Sequence, residues 1–315
     1  MVVADVRGAR VLWTGAGRWR RTSRVLVRQV RVASVGDRAE VVGVIPPVVD
    51  QAWVRAHPDV VLADVRWYLD GRSGERAFTE GHLPGAVFVD LDRWLAGPPS
   101  PQAGRHPLPD PAVFAQGMGA AGISDGDVVV AYDDAGGTVA ARLVWMLRAT
   151  GHDAAVLDGG LTAWDGPLTT TSPDRSPGSF TARPWPAERL ADLDEVVTGA
   201  GVLVDARARA RYRGEVEPVD PRAGHVPGAV NVPCGELMGA DGRFLPPDEL
   251  REVFADVGVV DAADVVAYCG SGVTACHVLV ALEHTGLGTA RLFPGSWSRY
   301  SSDPTLPAAT GPQPR

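Results

Sequence analysis

The chain has 315 residues, 45% apolar and 22% charged, with a formal net charge of −8; that length can hold two domains, and no apolar run nears the roughly 18 residues of a membrane span. All 30 basic residues are arginine, which excludes a Schiff-base lysine and a phosphate-loop lysine. Three cysteines and seven scattered histidines exclude a disulfide framework and a zinc site, and they favour a reducing cytoplasm.

Residues 1–38 carry nine arginines and two acids. We expect 1–47 to be a disordered basic extension; it lacks the apolar stretch of a secretory signal. The remainder is near −15, which argues against nucleic acid as a partner. Short β-branched runs at 60–65, 86–89, 127–132 and 154–157 read as strands, and 111–121 and 138–150 as amphipathic helices. The alternation predicts an α/β fold, a parallel sheet flanked by helices on both faces. Residues 166–186, rich in Pro, Gly, Ser and Thr, read as an irregular linker.

The same elements then recur in order. VVLADVRW (60–67) is answered by GVLVDARA (201–208), GHLPGAVFVDL (81–91) by GHVPGAVNVPC (224–234), and AAVLDGGLTAW (154–164) by TARLFPGSWSR (289–299). VVAYDDAGGTVAARLVWM (129–146) and VVAYCGSGVTACHVLVAL (265–282) share eight of eighteen positions, with Asp133 facing Cys269. The expected organisation is one domain over 48–165, a second over 187–305, and a tail over 306–315.

VVAY reads as a buried strand ending at Tyr268, and VTACHVLVALEHTG as a helix closed by Gly286. Cys269 therefore sits at the carboxyl end of a strand, the edge where open α/β sheets bind ligands. Gly270 and Gly272 let successive N–H groups turn inward as an anion cradle, and the helix dipole adds partial positive charge. Both favour thiolate in a residue whose free pKa is about 8.5. Cys276, two turns along the helix, and Cys234 read as structural. A cysteine phosphatase would need an arginine six residues after the nucleophile, where Ala275 stands.

CGSGVT, the paired GH[LV]PGA motifs and the closing PGSWSRY resemble the tandem-domain rhodanese family of sulfurtransferases, over about residues 48–305. The resemblance implies two rhodanese-like domains, of which the first has lost its cysteine and the second is catalytic. Thiosulfate-preferring members tend to carry basic residues after the cysteine. The uncharged loop here is similar to the branch that prefers 3-mercaptopyruvate, and implies substrate contact through Gly270, Gly272, Val273 and Thr274. The resemblance places a substrate carboxylate on Arg211. Its second clamp follows a Glu-Pro pair, but Glu217-Pro218 is followed by Val219, which leaves Arg222 as the nearest arginine. It also implies a relay of Ser271, His106 and Asp92. Arg207, Arg209 and Arg213 read as a solvated edge. Asp64, Asp205, His82 and His225, present in both copies, read as structural. The implied chemistry passes sulfur from a small-molecule donor through a Cys269 persulfide to a thiol, a thioredoxin-like protein or cyanide, with no metal or organic cofactor and no membrane partner. A thiosulfate sulfurtransferase and a non-catalytic persulfide carrier are the alternatives.

Overall fold

The two VVAY runs become the central strands of two parallel sheets. In a computed structural model, residues 45–199 and 201–314 are described; the disorder expected of residues 1–44 falls outside them. The first sheet contains β1 (Val48–Val49), β2 (Val61–Asp64), β3 (Val87–Phe88), β4 (Val129–Tyr132) and β5 (Ala154–Leu157), in the order β1-β5-β4-β2-β3. The second contains β6 (Val202–Asp205), β7 (Val230–Asn231), β8 (Val265–Tyr268) and β9 (Arg291–Leu292), in the order β7-β6-β8-β9. Where β1 pairs with β5, the second sheet has a single parallel bridge from Leu190 to Leu292.

The principal helices are α1 (Gln51–Ala56), α2 (Gly74–Glu80), α3 (Pro111–Ala120), α4 (Ala140–Ala149), α5 (Leu193–Thr198), α6 (Arg209–Tyr212), α7 (Pro247–Asp256), α8 (Ala275–His284) and α9 (Ser296–Tyr300). The helix expected from 138 begins two residues later, because Gly136 and Gly137 have positive φ and Asp133 captures the N–H groups of the first turn. Among the described residues no helix is long and apolar enough to cross a membrane.

Side chains alternate along each strand, and the alternation sorts them into three cores. Val130 and Tyr132 of β4 face an outer cluster of the first sheet, and Val266 and Tyr268 of β8 an outer cluster of the second. Val129, Ala131, Val265 and Ala267 instead join one inner core that also takes in α4 and α8. At its edge Glu283 of α8 accepts from Arg148 of α4 at 2.7 Å and from Arg189 at 2.8 Å. The two repeats thus meet through an apolar layer between their sheets, closed by a largely buried ion triad.

Each copy also fixes the end of a matching strand, β2 or β6, by a buried pair. Arg66 is bidentate on Asp64 and also donates to the Gly81 carbonyl; Arg207 does the same with Asp205 and Gly224. Arg207 is therefore not the solvated residue expected from its charge: it is 3% exposed and stacks over Trp297. His82 and His225 stack on Phe78 and Tyr212 and hydrogen-bond the carbonyls of those residues. Each GH turn then pairs, antiparallel, with a passing strap: His82 with Thr169 and His225 with Ala309. The linker packs against the inner core, Phe180 standing edge-on to Phe114 and Trp185 donating to Pro109. The residues expected as a free tail fold back in the same way, and Ile45 to Pro47, expected in the arm, run beside β5, whose Val156 donates to the Pro47 carbonyl.

The sheet register moves one repeat by a residue from its alignment by letters. Val156 and Leu292 pair with Ala131 and Ala267, which sets Gly160 against Ser296. Both adopt left-handed backbone, φ +53° and +52°, a conformation that costs a non-glycine residue about 1–3 kcal/mol. Ser296 gains from its hydroxyl, which accepts from the Cys269 amide at 3.2 Å and donates to the Phe293 carbonyl at 3.0 Å. Ser296→Ala keeps the strain and loses the hydroxyl, whereas Ser296→Gly loses both. The glycine variant is expected to be the more stable by about 1 kcal/mol, read from urea unfolding midpoints; an alanine variant equal to or above it would refute the strain.

Candidate active site

Cys269 follows β8 directly and is 2% exposed. The Gly272 amide donates to its Sγ at 3.1 Å. Gly272 has φ +81°, and a Cβ there would lie 2.6 Å from the Pro294 carbonyl oxygen, so only glycine fits the turn. The N–H groups of Ser271, Val273, Thr274 and Ala275 find no acceptor among the described residues. Unengaged backbone donors around a buried sulfur are the condition for anion capture.

The first copy shows what the turn can hold. Asp133 stands where Cys269 does, and its buried carboxylate accepts from the N–H groups of Ala135, Gly137, Val139 and Ala140 at 2.7–2.9 Å. These positions match Ser271, Val273, Ala275 and Cys276, three of which have unengaged donors in the second copy. Burial nevertheless holds the Asp133 carboxyl above its ordinary range, against the pull of those N–H groups.

Beside Cys269 the repeats join. Ser271 Oγ lies 2.7 Å from His106 Nδ1, and His106 Nε2 lies 3.4 Å from Asp92 Oδ1. Trp67 Nε1 donates to Asp92 Oδ2 at 2.9 Å and presents its ring edge-on to His106. Burial pushes the imidazole down to about 4, against the attraction of Asp92 and with the repulsion of Arg142 and Arg105. The ring is therefore neutral at pH 7. Donation from Nε2–H toward Asp92 leaves Nδ1 as the acceptor for the Ser271 hydroxyl.

Two guanidinium groups cover Gly270. A Cβ there would sit 3.0 Å from Arg105 Nη2 and 3.4 Å from Arg211 Nη1. Arg211 turns its other nitrogens to Glu217 and Asp220. Arg105 Nη1 donates to the same Asp220, and the Arg105 amide donates to Ser298 Oγ at 3.0 Å. One nitrogen of each arginine is left facing the loop. The loop's own side chains are uncharged, as expected, but two cations are delivered from outside it. Arg105 was missed because its partner Asp220 and its amide's acceptor Ser298 lie in the other repeat; its only sequence signal is the GRHPLP motif it shares with His106.

Arg222 does not join this group. Its guanidinium donates to the carbonyls of Tyr300, Ser301, Asp303 and Leu306 at 2.8–3.1 Å, so it pins the C-terminal segment and leaves no nitrogen for a substrate. Arg209 meets Glu236 on the surface. Burial pushes the thiols of Cys234 and Cys276 up to about 12, which keeps both protonated and poor nucleophiles.

The Rhodanese-like domain family matches the chain twice, over residues 50–166 and 187–303. The chain is 45% identical over 268 residues to the probable 3-mercaptopyruvate sulfurtransferase of Pseudomonas aeruginosa, covering 81% of this chain and 94% of that protein. It is 42% identical over 266 residues to the putative thiosulfate sulfurtransferase SseB of Mycobacterium tuberculosis, covering 82% and 93%. The solved 3-mercaptopyruvate sulfurtransferase from Leishmania major superposes with a TM-score of 0.73 at 31% identity, over 81% of this chain and 74% of that one. With the family matched twice and a cysteine at the turn of the second copy alone, the chain belongs to the rhodanese family, as a tandem-domain sulfurtransferase.

Proposed function

We propose that the chain carries a sulfane sulfur from 3-mercaptopyruvate, through a persulfide on Cys269, to a thiol acceptor and releases pyruvate. The observation that carries this reading is the 2.7 Å contact of Ser271 with His106. A thiosulfate donor releases sulfite, which needs no carbon protonated. A mercaptopyruvate donor leaves its electron pair on carbon as an enolate, and only that departure uses a hydroxyl backed by a neutral imidazole.

The Cys269 thiolate attacks the donor sulfur, and the carbon–sulfur bond breaks. The proton of the donor thiol passes to Ser271 as Ser271 gives its own to His106 Nδ1. The same path returns a proton to the enolate carbon, so pyruvate leaves and Cys269 keeps an ionised persulfide. Arg105 Nη2 and Arg211 Nη1 take the donor carboxylate, and the N–H groups of Ser271, Val273 and Thr274 take the charge of the persulfide. A thiol, thioredoxin or cyanide then collects the sulfur in a ping-pong cycle. The three free cysteines support a reducing compartment, the cytoplasm, as the setting. The domains are taken as about 45–165 and 187–314, joined by the linker.

The testing experiment is steady-state thiocyanate formation with 3-mercaptopyruvate and thiosulfate side by side. We expect kcat/KM to favour mercaptopyruvate by more than about tenfold, Cys269→Ser to be inactive with both, and Ser271→Ala to lose about 100-fold with mercaptopyruvate but little with thiosulfate. A thiosulfate preference would overturn the donor assignment and leave the nucleophile standing. Arg105→Met and Arg211→Met should each raise the mercaptopyruvate KM by about 10- to 100-fold with kcat less affected; an unchanged KM in either removes that arginine from the clamp. His106 has a folded pKa near 4, below the ordinary value of 6.5, so the unfolded chain binds its proton first. The stability of the native chain relative to His106→Gln should therefore fall as the pH drops from 6.5 toward 4 and level off below. A constant difference across that window in urea titrations would refute the neutral imidazole.

A further inference from the structure

Arg142 has no part in the scheme above, yet it is fully buried in α4 of the first repeat. No carboxylate among the described residues pairs with it. It donates instead to three carbonyl oxygens: Gly272 at 2.8 Å, His106 at 3.1 Å and Leu95 at 3.2 Å. A buried cation balanced only by carbonyls costs stability that an apolar side chain would not, and at the matching place in the second repeat the residue is the buried Val278.

The Gly272 carbonyl governs the amide that follows it. In a trans peptide the C=O and the next N–H point in opposite directions, so capture of the Gly272 oxygen by Arg142 turns the Val273 N–H away from α4. In the first repeat the matching peptide, Gly136–Gly137, gives its N–H to Asp133 Oδ1 at 2.7 Å. There the carboxylate sets the peptide. In the second repeat no carboxylate is present to do so, and the setting comes from outside. The reverse reach is looser: His277 of α8 packs on Phe244 and lies beside the Gly136 carbonyl, without a well-formed hydrogen bond at either ring nitrogen.

We infer that Arg142 is a positioning residue for the sulfur-carrying turn: it holds the Gly272–Val273 peptide with its N–H toward Cys269 and, through the His106 carbonyl, ties the relay histidine to the same guanidinium. The inference rests on the reading of Cys269 as the sulfur carrier, but not on which donor loads it. It gives the first repeat a direct part in shaping the cradle.

The test uses Arg142→Met and Arg142→Lys in the full chain, with steady-state kinetics, single-turnover persulfide formation on both 3-mercaptopyruvate and thiosulfate, and urea unfolding. The cradle serves any sulfane donor, so persulfide formation should slow with both, by about 100-fold in Arg142→Met and about tenfold in Arg142→Lys, which can still reach one carbonyl. KM should stay within about threefold. If Arg142→Met does not fold, Arg142→Lys decides, with a slower rate at an unfolding midpoint near that of the parent. A folded variant with an unchanged rate overturns the inference and leaves Arg142 as cement between the repeats. A raised KM at full kcat overturns it in favour of donor binding, and slowing with mercaptopyruvate alone overturns the cradle in favour of the relay. A parent protein that loads from neither donor would remove the carrier reading and the inference together, and is told apart by the failure of the unmutated chain.

Discussion

Ser271 and His106 stand 165 positions apart in the sequence and meet at 2.7 Å. A hydrogen bond of that length is lost if its partners separate by about one ångström, so two independently wound sheets must keep one fixed spacing. The inner core shared by α4 and α8 sets that spacing, and Glu283 clamps its edge with Arg148 and Arg189. Close-packed interiors transmit displacement rather than absorb it. A site divided between two repeats can therefore be as well defined as one built on a single element.

The same turn serves opposite ends in the two copies. In the first, a short carboxylate fills it and four backbone donors are satisfied; in the second, one N–H reaches the resting sulfur and others stay open. That difference suits an intermediate that grows by one atom. On the proposed reaction, a persulfide extends farther than the thiolate and carries its charge on the outer sulfur, which would engage donors that are idle at rest. The cost of leaving them idle is part of the site's poise.

What the sequence disclosed follows the range of the forces involved. Strand runs, the Gly272 turn and the carboxyl end of β8 are local, and the repeat made them legible twice over. Ser271, His106 and Asp92 could be named only through family resemblance, because nothing in GRHPLP or VDLDRW says which way a side chain points. Arg222 was chosen for its nearness to Glu217-Pro218, but a long side chain is placed by its acceptors, and four carbonyls between Tyr300 and Leu306 outweighed sequence proximity. Arg207 did leave a trace: the aspartate two residues before it recurs in DVR and DAR, the spacing of a fork closed at a strand end. The straps at Thr169 and Ala309 had none, since a single bridged residue has no period to detect.

Asp133 has one more effect. A carboxylate attached to its own binding turn acts at an effective concentration of about millimolar or more, and no linker need be ordered for it to bind. Free anions, including any donor, meet the first turn already saturated. On the proposed sulfur transfer, the Cys269 turn is then the one of the pair left open to load however much donor surrounds it, and the first turn is withheld from sulfur by a residue that never touches it.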